Sequence, residues 1–418
     1  MKIQSLLHNK TIVNGSLFSL FSFFGNGLSF LLLIILANYI FPADYGKLSL
    51  FNSIILVLGF CGSMGADGYV AISYFRDPPN VFTQRVSALI FVTFAVSIVA
   101  LFFLVFFGKG ISDRFEMPYL YVYYAVAIML TSKLFGIQQE IYRVKEKVIN
   151  YGIYNCSNAL TNFVLSIVLV VFLGMGWTGR VYSHLMYSVV FSLFATSFLI
   201  RNGYWKRFFT KDDIKTLLVF GIPMIPHKAT IWIRQGCDQY IINDAYSTYE
   251  VGLFSFALNL VSVIIIIGTA FNNTNAVDLY KVLADGTMHN KKAILKKRTK
   301  LIALLYSACS VAVVILFSIF VPFFLPKYAE ALPYFWILSF YGLLCCLYFL
   351  VCNYLFYYKK TKNLMYITFS SSILHLILSL IFTHVSLYYT ACIYVLTQLI
   401  VLIIVFLQSK KLVIKNIK

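Results

Sequence analysis

The chain is poor in charged residues, and acidic ones are the scarcest. Only 12% of its 418 residues are Asp, Glu, Lys or Arg, and only 15 are acidic. Soluble domains carry about a quarter of charged residues and are about half apolar, whereas this chain is 60% apolar with a mean hydropathy of +0.83. This composition excludes an ordinary soluble domain and indicates a chain that lies largely in lipid.

Several sequence signatures of chemistry are also missing. The eight cysteines include no CxxC pair and no metal-ligand spacing, so apolar packing is their favoured interpretation. The sequence has no Walker A loop, HExxH or GxSxG motif. Residues 174–179 match the glycine pattern of dinucleotide-binding loops, but they follow an apolar stretch rather than a strand, so we reject that match. We therefore predict no enzyme, no metal site and no bound cofactor.

Apolar stretches recur along the whole chain, and twelve are long enough to cross the roughly 30 Å hydrocarbon core of a bilayer as helices. They lie near residues 11–38, 47–66, 86–107, 119–139, 151–173, 181–200, 217–241, 251–272, 301–325, 334–357, 364–384 and 388–408. We predict an all-α membrane protein with twelve transmembrane helices. An even number of spans places both termini on one side of the membrane.

Basic residues decide which side that is. Most of the 34 Lys and Arg residues fall at the termini and in the even-numbered loops, chiefly 201–216 and 273–300. Because cytoplasmic loops are enriched in Lys and Arg, we predict cytoplasmic termini. The formal charge of +19 is then explained by orientation and by contact with lipid headgroups, and it predicts the bilayer rather than nucleic acid as a partner.

Two pairs of short segments indicate an internal duplication. The matching sets are residues 44–49 with 250–255, and Tyr142, Lys145 and Lys147 with Tyr357, Lys360 and Lys362. Parallel repeats of this kind hold substrate between the two halves in many transporters. We predict two pseudo-symmetric six-helix bundles around a central cavity, formed by residues 1–200 and 217–418 and joined by a basic cytoplasmic linker at 201–216.

Small polar residues recur at three- to four-residue spacing along several predicted spans. The stripes are Ser19, Ser22, Asn26 and Ser29 in span 1; Asn155, Asn158, Asn162 and Ser166 in span 5; Ser255, Asn259 and Ser262 in span 8; and Thr368, Ser371, His375 and Ser379 in span 11. Such a stripe can line a hydrated cavity, or it can join helices through close packing and hydrogen bonds. Its recurrence in spans 1, 5 and 11 favours the cavity.

Ionised side chains inside predicted spans are the most informative residues. Each costs about 2.5–3.5 kcal/mol at mid-bilayer on insertion scales and normally faces a cavity or a partner. On span 7, His227, Arg234 and Asp238 fall on one helical face, although Arg234 and Asp238, four residues apart, could simply neutralise each other. Lys133 in span 4 could face a cavity or extend towards an interface.

A basic interior suits an anionic substrate, because guanidinium and ammonium groups bind phosphate oxygens through charge-assisted hydrogen bonds. Two histidines could add to that positive charge near neutral pH, and Asp238 is the main interior anion. The predicted substrate-binding residues of the cavity are Lys133, Arg234, Asp238, His227, Lys228, His184, His375, Asn26, Asn155, Asn158, Asn162 and Asn259.

Two longer stretches resemble a known family. Residues 37–49 (ANYIFPADYGKLS), and residues 221–227 (GIPMIPH) followed by Trp232 and Asp238, are similar to the polysaccharide-transport family of Wzx-type O-antigen flippases. The residues at 179–180 before span 6 and at 357–362 after span 10 also resemble that family. The resemblance covers essentially the whole chain.

The resemblance implies the twelve-helix fold of the multidrug/oligosaccharidyl-lipid/polysaccharide (MOP) exporter superfamily. It implies flipping of undecaprenyl-diphosphate-linked oligosaccharide repeat units from the cytoplasmic to the periplasmic leaflet of the bacterial inner membrane, coupled to a proton or sodium gradient. A polysaccharide polymerase and a chain-length regulator are the protein partners that this function predicts.

Two other functions stay open. A multidrug/cation antiporter of the same superfamily would need an acidic cavity, which the basic interior argues against. A polysaccharide polymerase or ligase would need a long periplasmic loop, and no predicted outer loop exceeds about a dozen residues. The flippase is therefore the favoured prediction.

Overall fold

The computed structural model describes residues 10–205, 208–284 and 291–416. Within these ranges every regular element is a helix, and no strand occurs among them. An α-helix satisfies all backbone hydrogen bonds within one segment, which is what a chain in hydrocarbon requires. The predicted all-α membrane class is confirmed.

The chain divides into two compact units, Met1–Ala229 and Thr230–Lys418. The first contains α1 (Lys10–Ala37), α2 (Pro42–Cys61), a 3₁₀ turn (Ala66–Gly68), α3 (Tyr69–Arg76), α4 (Pro79–Arg114), α5 (Tyr119–Val144), α6 (Val148–Ile167) continued by a π-helical turn (Val168–Phe172), α7 (Gly176–Arg201), α8 (Lys211–Gly221) and the start of α9 (Met224–Gln235). The second contains the end of α9, α10 (Cys237–Ala245), α11 (Thr248–Ala284), α12 (Lys291–Phe324), a 3₁₀ turn (Pro326–Ala331), α13 (Leu332–Tyr357), α14 (Thr361–Phe382) and α15 (Leu387–Asn416).

Ten helices among the described residues are long and apolar enough to cross a membrane, and the bent pair Lys211–Gly221 and Met224–Ala245 would make an eleventh span. A shorter apolar helix, Phe23–Ala37, lies where the first span was predicted. The multi-pass architecture therefore follows the hydropathy of the sequence. The number of twelve stays a prediction, as does the division at 201–216.

The predicted linker 201–216 lies in the first unit and is partly helical. Thr210 caps the N-terminus of α8: its side chain accepts a hydrogen bond from the backbone N–H of Asp213, whose carboxylate accepts one from the backbone N–H of Thr210. This reciprocal capping box starts the helix at Lys211. The basic residues Lys206 and Arg207 lie outside the described residues.

Predicted span 7 is not one straight helix. Its two parts bend by 43° between Gly221 and Met224, where Pro223 removes a backbone donor and restricts the preceding residue. Close backbone packing also fixes this point: a Cβ at Gly65, whose φ is +75°, would lie 2.3 Å from the carbonyl oxygen of Gly221. The turn after α2 therefore packs directly against the break.

The predicted cytoplasmic loop 273–300 also differs from the structure. α11 continues to Ala284 and α12 begins at Lys291, while residues 285–290 lie outside the described residues. Helices of 37 and 34 residues extend about 50 Å, well beyond a hydrocarbon core of about 30 Å. A helix does not have to end at the membrane surface, so hydropathy located the apolar part and missed its polar extensions.

The duplicated segments occupy similar places in the two units. Residues 44–49 and 250–255 lie in the first turns of α2 and α11, and the Tyr-Lys-Lys segments lie at the C-terminal ends of α5 and α13. This placement agrees with the predicted repeat, whose pairing of all spans stays a prediction.

Candidate functional site

The first unit holds a cluster in which one carboxylate pairs with two lysines. Asp67 Oδ2 lies 2.9 Å from Nζ of Lys133 on α5 and 2.7 Å from Nζ of Lys228 on α9. The side chain of Asp67 is 37% exposed and both lysines are half-buried. With one negative and two positive charges, the cluster keeps a net positive charge that a phosphate could use.

Local backbone structure puts Asp67 in this place. Asp67 is the middle residue of the 3₁₀ turn after α2, and that turn packs on the α8–α9 break through Gly65 and Gly221. The close approach brings the carboxylate within reach of Lys228, which lies one helical turn after the start of α9. Burial acts to raise the pKa of Asp67, but the positive charges of Lys133 and Lys228 outweigh it, so that pKa is lowered and the carboxylate stays ionised.

The shared carboxylate predicts that the two lysines compensate for each other. Lys133→Met or Lys228→Met leaves Asp67 one partner and is expected to lower the melting temperature of the purified protein only slightly. The double variant leaves a partly buried carboxylate without either partner, so its loss of stability should exceed the sum of the single effects by about 1 kcal/mol. Thermal unfolding in detergent measures the coupling, with Lys109→Met, an exposed lysine, as the control. Additive effects would contradict the shared pair.

The second unit holds a cluster around Arg234, a half-buried residue in the last turn of α9. Its Nε donates to Ser372 Oγ (3.0 Å), Nη1 to Gln398 Oε1 (2.8 Å) and Nη2 to Ser371 Oγ (2.8 Å). The phenol of Tyr394 donates to its carbonyl oxygen. All of these partners are neutral, and no carboxylate among the described residues lies within 4.0 Å of the guanidinium. Arg234 therefore keeps an uncompensated charge.

Asp238 pairs with a histidine and not with Arg234. Its Oδ2 lies 2.8 Å from Nε2 of His375 on α14, and both side chains are only 1% exposed. His375 Nδ1 lies 3.2 Å from Thr397 Oγ1, and Ser371 Oγ donates to the carbonyl of Thr397. Hydrogen bonds thus link Arg234 through Ser371 to the carbonyl of Thr397, and Asp238 through His375 to the hydroxyl of Thr397. The direct neutralisation of Asp238 by Arg234, the alternative drawn from their four-residue spacing, is not observed.

The structure places the remaining predicted residues as follows. Asn26 is exposed and Asn158 and Asn259 are half-buried; Asn155 donates to the carbonyl of Phe21 at 3.2 Å; Asn162 accepts from Arg180 at 2.6 Å; the ring of His184 stacks on Tyr187 with centroids 5.2 Å apart. The backbone of His227 lies in α9, and its side chain lies outside the described residues. Whether these residues line one cavity stays a prediction.

Some stripe residues join helices, which was the alternative interpretation of the stripes. Ser166 on α6 and Ser183 on α7 are hydrogen-bonded at 2.9 Å, and Ser371 on α14 bonds to the backbone of α15. Small polar residues stabilise helix contacts in lipid in this manner. The same serines also hold Arg180 and Arg234, so joining helices and positioning a cation are combined.

Sequence reasoning missed three partners of the predicted cations: Asp67, Ser372 and Gln398. Asp67 comes one residue after the predicted end of span 2, so it is not among the ionised residues of the predicted spans. Gln398 is a buried amide in an apolar helix, and its cost in lipid was a usable signal. Arg180 comes directly before the predicted span 6 (181–200), yet it lies in the second turn of α7.

Known proteins resemble this chain in both sequence and fold. The profile of the polysaccharide biosynthesis protein family matches residues 12–274, more than half of the chain. The chain belongs to the polysaccharide biosynthesis protein family. The resemblance predicted from residues 37–49 and 221–227 is thereby confirmed at the level of the family. An uncharacterized membrane protein of Haemophilus influenzae is 24% identical over 366 residues, which cover 85% of this chain and 87% of that protein.

This chain shares its fold with solved transporters and with a lipid flippase. The lipid II flippase MurJ, in an inward closed conformation, matches with a TM-score of 0.77 over 94% of this chain and 87% of that chain. An inward-facing multidrug resistance MATE family transporter matches with a TM-score of 0.72 over 94% and 95%. A MOP superfamily transporter from Pyrococcus furiosus, described with a reverse polarity of its binding pocket, matches with 0.57 over 96% of both chains. All three are 15% identical to this chain, so they show the shared fold.

Proposed function

We propose that this chain is a flippase for undecaprenyl-diphosphate-linked O-antigen or polysaccharide repeat units. It would carry them from the cytoplasmic to the periplasmic leaflet of the bacterial inner membrane by alternating access. The family supports a role in polysaccharide biosynthesis, and the fold is one that transporters and flippases use. The observation that carries the proposal is Arg234, a cation of a membrane-capable segment whose hydrogen-bond partners are all neutral.

Neutral partners matter because they fix the guanidinium without cancelling its charge. A guanidinium has five N–H donors, of which three are used by Ser371, Ser372 and Gln398. Two donors and the full charge remain for phosphate oxygens, and each charged hydrogen bond contributes about 1.5–3 kcal/mol. A charged group in a membrane helix is energetically costly, so such residues usually mark a functional site.

The charges also separate this proposal from a multidrug/cation antiporter. A cationic drug requires a site with uncompensated carboxylates, whereas Asp67 and Asp238 each pair with basic side chains. The MOP transporter from Pyrococcus furiosus, with its reverse polarity of the binding pocket, supports the view that pocket charge distinguishes functions on this fold.

The flippase requires an energy source, and we propose a proton or sodium gradient. Asp238 and His375 form the most buried titratable pair among the described residues, and such pairs are candidates for ion coupling. No bound cofactor is proposed, and the protein would act with a polysaccharide polymerase and a chain-length regulator. Transport that is insensitive to both gradients would contradict the coupling.

A deletion strain tests the proposed function. Loss of a flippase is expected to leave the lipid-linked unit facing the cytoplasm, with essentially no surface polysaccharide. Loss of a polymerase would still deliver single units to the surface, and loss of a drug antiporter would change drug resistance and leave polysaccharide intact. Leaflet-specific labelling of the lipid-linked sugar distinguishes these outcomes, with the plasmid-complemented strain as the control. Single repeat units at the surface of the deletion strain would overturn the proposal.

A further inference from the structure

Arg180 lies in a membrane-capable helix and none of the functions above uses it. It sits in the second turn of α7, where its Nη1 lies within hydrogen-bond distance of Asn162 Oδ1 (2.6 Å), Ser166 Oγ (3.0 Å) and Ser183 Oγ (3.2 Å). Asn162, Ser166 and Ser183 are buried, and the two serines are also hydrogen-bonded to each other. Three neutral groups therefore hold one corner of the guanidinium in a fixed position.

The Nε and Nη2 groups of the guanidinium have no protein hydrogen-bond partner among the described residues. Within residues 10–205, 208–284 and 291–416, no hydrogen bond engages Nε or Nη2 of Arg180 and no carboxylate lies within 4.0 Å of it. The Nε–Nη2 edge presents two parallel donors, which match two oxygens of a phosphate or carboxylate. Arg180 is half-buried, so part of its side chain is accessible.

A neighbouring residue on the same helix adds to the site. His184 lies four residues after Arg180, on the same face of α7, and its ring stacks on Tyr187. The stack orients an imidazole that can donate a hydrogen bond beside the guanidinium. A cation with an open edge and an adjacent polar ring form an arrangement that fits an oxyanion better than it fits a simple helix contact.

We propose that Arg180 binds a phosphate group through its Nε–Nη2 edge. This anion site lies in the first unit and is additional to Arg234 in the second unit. Its proposed ligand is the diphosphate of the lipid-linked substrate. The proposal rests on the proposed flippase function for the identity of that phosphate. The headgroup of an anionic phospholipid offers the same chemistry. A purely structural role would use Arg180 only to join α6 to α7.

The direct test is binding of inorganic diphosphate to the purified full chain in nanodiscs of zwitterionic lipid. Arg180→Gln keeps an N–H donor for Asn162 and removes the charge and the two-donor edge. It should weaken diphosphate binding by at least about tenfold, because a charged hydrogen bond is lost, and leave the melting temperature nearly unchanged. Arg201→Gln, at the exposed end of the same helix, should bind as the wild type does. A wild type that does not bind diphosphate would refute the site.

A structural role gives the opposite pattern. Arg180→Gln would then lower the melting temperature and leave diphosphate affinity as it is, which would overturn the proposal. If Arg180→Gln does not fold, Arg180→Lys decides, because a lysine keeps the charge and cannot offer a two-donor edge. It should bind diphosphate several-fold more weakly, and unchanged affinity in Arg180→Lys would overturn the site.

Two further arms identify the source of the phosphate and separate this inference from the flippase itself. If nanodiscs with phosphatidylglycerol abolish diphosphate binding at Arg180, the site is a lipid-headgroup site and the substrate assignment fails. If Arg180→Gln cells display normal polysaccharide while Arg234→Ala cells do not, the inference fails and the flippase stands. If diphosphate binding depends on Arg180 but a deletion strain keeps its surface polysaccharide, the anion site stands and the flippase fails.

Discussion

Replacing Arg234 with Ala is expected to abolish surface polysaccharide, whereas replacing it with Lys should leave a reduced amount. Alanine removes both the charge and every donor, so any phosphate bound there loses at least two charged hydrogen bonds of about 1.5–3 kcal/mol each. That loss corresponds to a hundredfold or greater decrease in affinity. Lysine keeps the charge as a compact ammonium and loses the planar arrangement that reaches Ser371, Ser372 and Gln398 together.

The measurement is the amount of surface polysaccharide in a deletion strain complemented with each variant. Because Arg234 also joins α9 to α14 and α15, the membrane level of each variant must be measured by immunoblot. Lys410→Ala, which removes an exposed cation from α15, controls for a change in overall charge. Full and equal activity of Arg234→Ala and Arg234→Lys would exclude Arg234 from transport.

A graded set of changes around Arg234 separates charge from position. Ser371→Ala and Ser372→Ala each remove one neutral acceptor and leave the charge, so each is expected to reduce polysaccharide less than Arg234→Ala does. A positioned guanidinium explains such an order, since each lost hydrogen bond loosens it by about 1 kcal/mol. If either serine variant were as inactive as Arg234→Ala at a normal membrane level, positioning would matter as much as charge.

Much of the fold could be predicted because the burial of apolar segments in the bilayer is the dominant contribution to where the helices lie. Burying roughly 20 apolar residues per segment in hydrocarbon determines where most helices lie, and the apolar parts of α4, α11 and α15 were predicted correctly. Hydropathy cannot show where a helix ends in water, since α11 continues through residues 273–284, beyond the predicted span. It also cannot show the break at 221–223, which depends on local backbone restrictions at Pro223 and on packing against Gly65.

Only the ionised residues of the candidate site could be predicted from the sequence. Arg234, Lys133 and Asp238 stood out because ionised groups in lipid are expensive. Their partners are tertiary neighbours: Asp67 precedes Lys133 by 66 positions, and His375 follows Asp238 by 137. Helical periodicity gives neighbours three or four residues away, so it indicated Arg234 as the partner of Asp238. The partners of a charged residue in a membrane helix therefore cannot be predicted from a single sequence.

The pair formed by Asp238 and His375 carries the largest expected effect on stability. Both side chains are 1% exposed, and their carboxylate and imidazole groups lie 2.8 Å apart. Removing one member of this buried hydrogen-bonded pair leaves the other polar group without its partner, which costs about 1–3 kcal/mol, and more if that group is charged. His375→Ala should be the more damaging change, because an unpaired buried carboxylate is costlier than an unpaired neutral ring.

The same pair predicts a specific pattern across a double-mutant cycle. Asp238→Asn keeps an oxygen that can accept from His375 Nε2, so it should cost less than Asp238→Ala, while Asp113→Ala at an exposed position should cost almost nothing. The double change Asp238→Ala with His375→Ala removes both polar groups and should cost less than the sum of the single changes, since neither is left unpaired. Thermal unfolding of the purified variants measures each term. Additive losses would show that the two side chains are stabilised separately, and the pair would then have no direct role in holding α10 to α14.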